Sequence, residues 1–179
     1  LPFCFLNLLS QLLYTWSVNK AIIVVCTCFF MYFKVYGVSV SYEITPQYTF
    51  VASPLDTIVI TSDYGYRRDP FDGKRKFHNG VDLKCSSNNV YSMLNGKVKK
   101  VGYDKISGKY IMIDSGNFTI SYCHLSEILV TLNSYVIAGN KIGVTGNTGR
   151  STGKHLHLKC KYKGEIINPV VLFRFIRAY

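Results

Sequence analysis

From Thr57 onward the chain alternates short apolar, β-branched runs with clusters of turn residues. Thr57-Ile-Val-Ile-Thr61, Gly96-Lys-Val-Lys-Lys-Val-Gly102, Lys109-Tyr-Ile-Met-Ile-Asp114, Phe118-Thr-Ile-Ser-Tyr-Cys-His124, Tyr135-Val-Ile-Ala138 and His155–Lys161 each read as a strand. Turn pairs separate them: Asp72-Gly73, Asn79-Gly80, Asn95-Gly96, Ser115-Gly116, Gly139-Asn140 and Gly146-Asn147. Short strands at this spacing predict a mainly β fold, a compact antiparallel sandwich or barrel-like domain over residues 57–175. The best helix candidate is one turn near Leu125–Leu129. Residues 42–56 read as a linker or first edge strand. No internal repeat or low-complexity tract interrupts the pattern.

The first 41 residues follow a different pattern. Lys20 precedes thirteen uncharged, mostly apolar residues that end at Phe33, and Lys34 follows. This matches the apolar core of a secretory signal and is short for a membrane span, which needs about 20 residues. Gly37, Ser39 and Ser41 offer cleavage points. Residues 1–17 are also apolar and uncharged. They either lie upstream of the true start or join the second run as a membrane anchor through residues 1–33. Both readings export the body of the protein to the periplasm, cell envelope or exterior.

Composition narrows the class. Hydrophobic content of 48% against 17% charged residues excludes a disordered chain. The net charge is +11, and only Lys20 and Lys34 of the charged residues precede Tyr42. The basic excess therefore belongs to the folded body and suits a polyanionic partner. Nucleic acid is disfavoured, because there is no basic stripe interleaved with aromatics beyond Lys97, Lys99 and Lys100, and because the leader directs export. The six cysteines form no C-x-x-C pair. Cys123 and Cys160 lie one residue out of phase with the histidines and read as buried free thiols on the core face.

The four histidines carry the chemistry: His78, His124, His155 and His157. Alternate residues of a strand share a face, so His155 and His157 project together, with Cα atoms roughly 6.5 Å apart. By the same parity, His78 and Asp82 face one way if their segment is extended, and Tyr122 and His124 share a face. A histidine and a carboxylate are good zinc ligands, and His157 is the natural third. Two histidines and one aspartate leave the fourth position of a catalytic tetrahedron open. Water held by such a zinc ion has a pKa near 7. The remaining histidines can then take its proton and steady the oxyanion that forms. Each motif alone also reads as a turn or a solvated surface pair. Gly149–Gly153 lacks the ending of a nucleotide loop, since His155 follows Lys154. Taken together, the motifs leave no histidine unassigned.

His78-Asn-Gly-Val-Asp82, Tyr122-Cys-His124-Leu and Gly149-Arg-Ser-Thr-Gly-Lys-His155-Leu-His157 resemble the three signatures of the lysostaphin-type (LytM-type) zinc metallopeptidases. Ser62-Asp-Tyr-Gly65-Tyr-Arg67 and Ile167-Asn168-Pro169 are similar to flanking parts of that family, so the likeness spans residues 61–172. The resemblance implies one Zn2+ held by His78, Asp82 and His157, with His155 as general base and His124 assisting. It implies an endopeptidase acting on the peptide part of bacterial peptidoglycan. The alternative of the same fold is a non-catalytic wall-binding or regulatory module, which would be expected to lack a ligand. Lys154 departs from the small residue or proline of many relatives. Tyr64, Tyr66, Phe71 and Tyr122 are expected to line the groove, whereas Tyr103 reads better as sheet packing. Tyr66, Tyr122 and Asn79 are the candidate substrate contacts.

Overall fold

A computed structural model describes residues 51–85 and 88–176. The expected signal or anchor segment, residues 1–41, and most of the expected linker lie outside these residues. Twelve strands follow in order: β1 (Ile60–Ser62), β2 (Gly65–Arg68), β3 (Arg75–His78), β4 (Val81–Lys84), β5 (Asn89–Tyr91), β6 (Gly96–Asp104), β7 (Gly108–Ser115), β8 (Phe118–Ile128), β9 (Tyr135–Val136), β10 (Lys141–Thr145), β11 (His155–Tyr162) and β12 (Glu165–Ile167). A single helical turn, α1 (Val170–Phe173), closes the described part. All strand pairings are antiparallel. Among the described residues no helix is long and apolar enough to cross a membrane.

The main sheet runs β1-β4-β11-β8-β7-β6-β9, with β5, β10 and β12 attached beside this path, and β2 and β3 form a separate hairpin sheet. β11 is central. Leu156, Leu158 and Cys160 point into the core with Leu83, Ile120 and Tyr122, each at most 1% exposed. Burying a leucine to this degree contributes roughly 1.5–3 kcal/mol. The same alternation turns His155 and His157 to the opposite face, as the period of the strand requires. Register places His157 between Asp82 on β4 and Cys123 on β8. Directly paired residues share a face. One rigid ladder thus carries a candidate ligand pair and the neighbouring thiol on the same side.

The expected helix at Leu125–Leu129 is absent. Leu125 to Ile128 continue β8, because β10 supplies a ladder partner: Gly143, Val144 and Thr145 pair with Ile128, Glu127 and Leu125. β10 itself was not expected, its short Lys-Ile-Gly-Val-Thr run being broken by glycine. Cys123 is also corrected. It is buried, but it faces the histidine side of the sheet, opposite His157, while Cys160 faces the core opposite Ile120. Both are free thiols on opposite faces, and burial pushes the Cys123 thiol up to about 11 and Cys160 up to about 12.

Candidate metal centre

His78 and Asp82 do not belong to one extended segment. His78 ends β3 in the hairpin sheet and Asp82 lies in β4 of the main sheet, with Asn79-Gly80 turning the chain between them. The turn brings His78 back over the sheet. A Cβ on Gly80 would lie 2.3 Å from the Leu158 carbonyl oxygen and 2.9 Å from His157 Cε1. Glycine is therefore needed there for the backbone to pass against the His157 ring.

The result is a tight cluster. His157 Nδ1 lies 2.7 Å from Asp82 Oδ1 and 3.0 Å from His78 Nε2, and His78 Nε2 lies 3.2 Å from Asp82 Oδ1. His78, Asp82 and His157 form a group whose ligand atoms all converge within 4.8 Å. The tautomer of His78 follows from its other nitrogen. Nδ1–H donates to the Asp63 carbonyl at 2.7 Å, which leaves Nε2 as a bare lone pair facing the cluster. A bare imidazole nitrogen, a carboxylate oxygen and a second imidazole nitrogen at these separations repel one another unless a proton or cation sits among them. Two histidine nitrogens and one carboxylate are a donor set that suits zinc and leaves a fourth position open. The residues present fit the ion.

Electrostatics agree with this arrangement. Burial alone would raise the pKa of Asp82, but the His157 and His78 rings packed against its carboxylate override burial and hold the carboxyl well below the usual carboxylate range. Burial pushes His157 down to about 4, against the pull of the Asp82 carboxylate. Its ring is therefore neutral at physiological pH, the state a ligand needs. Arg67 Nη2 approaches the second Asp82 oxygen at 3.4 Å, and its Nε is buried without a partner.

The two remaining histidines stand beside the cluster. Their rings lie 4.8 Å apart, and His155 Nε2 lies 3.6 Å from Asp82 Oδ1. One loop orients both. His155 Nδ1–H donates to the Gly153 carbonyl at 2.7 Å, and His124 Nδ1–H donates to the Thr148 carbonyl at 2.7 Å. Each ring thereby presents a bare Nε2. Burial lowers the His124 pKa, partly opposed by the Thr148 carbonyl. The loop is seated where Gly149, at φ +73°, would drive a Cβ to 2.2 Å from the Gly108 nitrogen.

Strand parity fails at His124. Its φ is +63°, and the β7–β8 register slips between Ile111↔Tyr122 and Lys109↔Leu125. This bulge swings His124 to the site while Tyr122 stays in the core. Tyr122 is 0% exposed and its hydroxyl accepts a hydrogen bond from Met93 N–H at 2.8 Å, so it is no substrate contact. Tyr66 is 68% exposed, meets the Phe77 ring edge-on and lies under Arg75, beside the residues that line the groove and not among them. Of the aromatics expected in the groove, only Phe71 lines it, joined by Phe77, while Asn79 does stand in the wall.

The groove over the cluster holds about 720 Å³. Its far end is tied by Asp69 and Arg150, which form a two-pronged pair at 2.8 Å and 2.8 Å, with the guanidinium 4.3 Å over the Phe71 ring. This clasp joins the β2–β3 turn to the loop that orients His124 and His155. Nothing in the sequence signalled the roles of Asp63, Gly80, Thr148 and the Asp69–Arg150 clasp, although Asp63, Gly80 and Arg150 fall within its motifs. Three of them act through backbone carbonyls or close approach, for which side-chain identity gives no signal.

The profile of peptidase family M23 matches residues 76–169. The chain is 36% identical over 123 residues to peptidoglycan DD-endopeptidase ShyC of Vibrio cholerae, covering 67% of this chain and 28% of that protein. A zinc-containing peptidase from Vibrio cholerae superposes with a TM-score of 0.62 at 34% identity, over 67% of this chain and 39% of that one. The catalytic domain of lysostaphin from Staphylococcus simulans gives a TM-score of 0.59 at 26% identity, over 65% and 92%. The chain spans about a quarter of the length of the curated relatives it matches. With its matched segment, its antiparallel sheet and its His-Asp-His cluster, the chain belongs to peptidase family M23.

Proposed function

We propose that this chain is a zinc-dependent endopeptidase that hydrolyses peptide bonds in bacterial peptidoglycan. One observation carries the reading. His78 Nε2, Asp82 Oδ1 and His157 Nδ1 converge beside two further imidazoles whose Nε2 atoms are bare. His78, Asp82 and His157 would hold one zinc ion per chain. When bound there, zinc polarises a peptide carbonyl and lowers the pKa of a water molecule to about 7. His155 Nε2 takes a proton from the attacking water and passes it to the leaving amine nitrogen. His124 enters as an acceptor, because its Nδ1–H is committed to Thr148. With a second proton taken from bulk water at Nε2, the His124 imidazolium would donate to the developing oxyanion and steady it. The Gly153 and Thr148 carbonyls keep both rings in the required tautomer.

An envelope location belongs to the same proposal. The thirteen uncharged residues after Lys20 support a signal peptide or membrane anchor within residues 1–41, followed by a linker at 42–56 and the peptidase domain at 57–175. The net charge of +11 suits a wall rich in carboxylates and phosphates. Digestion of purified peptidoglycan, followed by mass spectrometry of the released fragments, tests the reading. Cleaved cross-links are expected, suppressed by chelator and restored by zinc. Wall material left intact by the zinc-loaded protein would overturn it in favour of a non-catalytic binding module.

A further inference from the structure

The groove is strongly cationic. Arg67, Arg68, Lys76, Arg150, Lys154 and Lys159 line it against only two carboxylates, Asp69 and Asp82. Most of these cations are engaged. Arg150 is held by Asp69, Lys76 by Asp72 at 2.6 Å and Asp69 at 3.5 Å, Lys154 by Asn88, and Arg67 reaches Asp82. Arg68 is solvent-exposed.

Lys159 differs from all of them. It sits on β11 two residues beyond His157, so the alternation that presents the histidines presents its side chain on the same face. It is half-buried, and among the described residues its ammonium makes no hydrogen bond or ion pair. Its charge is felt by His124, by His157 and by the Asp104 carboxylate. Asp104 makes no ion pair with it; Asp104 Oδ1 accepts from Ile106 N–H at 2.8 Å and Ser107 N–H at 2.7 Å. No ion pair among the described residues holds this ammonium, and cations outnumber carboxylates in the groove wall, so an anion entering the groove would find it available.

We propose that Lys159 is a specificity residue that pairs with a free carboxylate of the peptide bound across the metal cluster, so that the site selects an anionic peptide over its neutral counterpart. The inference rests on the proposed peptidase function. A charge-assisted hydrogen bond of this kind changes affinity by roughly tenfold to a hundredfold.

The test uses two synthetic peptides with a D-alanyl–D-amino acid bond, identical except that the residue beyond that bond carries a free carboxylate or its amide. Zinc-loaded protein should favour the acid by roughly tenfold or more in kcat/KM, mainly through KM. Lys159→Met should erase the preference, bringing kcat/KM for the acid down to that for the amide in the same variant. Lys159→Glu should reverse the preference. Equal treatment of the two peptides by the unsubstituted protein, or an equal loss on both in Lys159→Met, would overturn the assignment. Calorimetric binding separates this from the peptidase reading. If neither peptide is cut, a binding preference for the acid that Lys159→Met erases still supports the lysine assignment, and equal binding overturns it. Absence of hydrolysis on whole wall material counts against the peptidase reading alone.

Discussion

Gly80 and Tyr122 are the residues at which small substitutions are most informative. At Gly80 a methyl group would meet a backbone oxygen, which cannot swing aside as a side-chain tip can. Gly80→Ala is expected to cost about 1–3 kcal/mol of stability and to weaken zinc binding, because relief must come from β11 or the His157 ring. Denaturant titration and zinc calorimetry on the same variant check both effects. Tyr122→Phe leaves the buried Met93 N–H without its acceptor and should cost about 1–3 kcal/mol. Hydrolysis per folded molecule should be unchanged, since the ring belongs to the core. A large fall in kcat at unchanged stability would return Tyr122 to the groove. The His155/His157 pair was legible because a regular strand obeys period two. Tyr122 was misplaced because one residue of positive φ at His124 inverts that period locally, and nothing in the residue names announces it.

At the scale of elements, the β2–β3 hairpin and the Gly146–Gly153 loop are joined through Asp69 and Arg150. The Arg150 hydrogen bonds dominate at Asp69, and with backbone N–H groups of Phe71 and Asp72 they hold its carboxyl well below the usual carboxylate range. The sign of the pH effect follows. A carboxyl depressed in the folded state contributes its full stabilisation above its unfolded value of 3.8 and loses it as pH falls through the folded value. The difference in melting temperature between the unsubstituted protein and Asp69→Asn should therefore be greatest above about pH 4 and shrink below it. A constant difference down to strongly acid pH would place the stabilisation elsewhere. The β11 strand and the β6–β7–β8 meander were readable from alternating apolar residues and Ser115-Gly116. β10 and β12 were not, because each is only a few residues long and takes its stability from the strand beside it.

For the whole molecule, folding and metal binding are linked through the same protons. Burial holds His157 at about 4, below its unfolded 6.5, and Asp82 is depressed as well. Both groups favour folding above pH 6.5, and the His157 contribution fades as pH falls towards 4. The metal-free protein should lose melting temperature across that window, and zinc affinity should fall with it. Zinc at about one hundred times its Kd should add about 2.7 kcal/mol, and chelator should remove it. The overall class and the three metal-site motifs were legible because the chemistry demands particular residue types. Apart from Phe71 and Asn79, the groove walls were not, since they are assembled from loops brought together only by the fold.

The most direct measurement is zinc content, paired with peptidoglycan hydrolysis, for His157→Ala and His155→Ala beside the unsubstituted protein. One zinc per chain is expected in the unsubstituted protein. His157→Ala should lose both metal and activity, whereas His155→Ala should keep its zinc and lose hydrolysis by roughly a hundredfold to ten-thousandfold. Equal loss of metal from both variants, or full zinc retention by His157→Ala, would contradict the division into ligands and proton carriers.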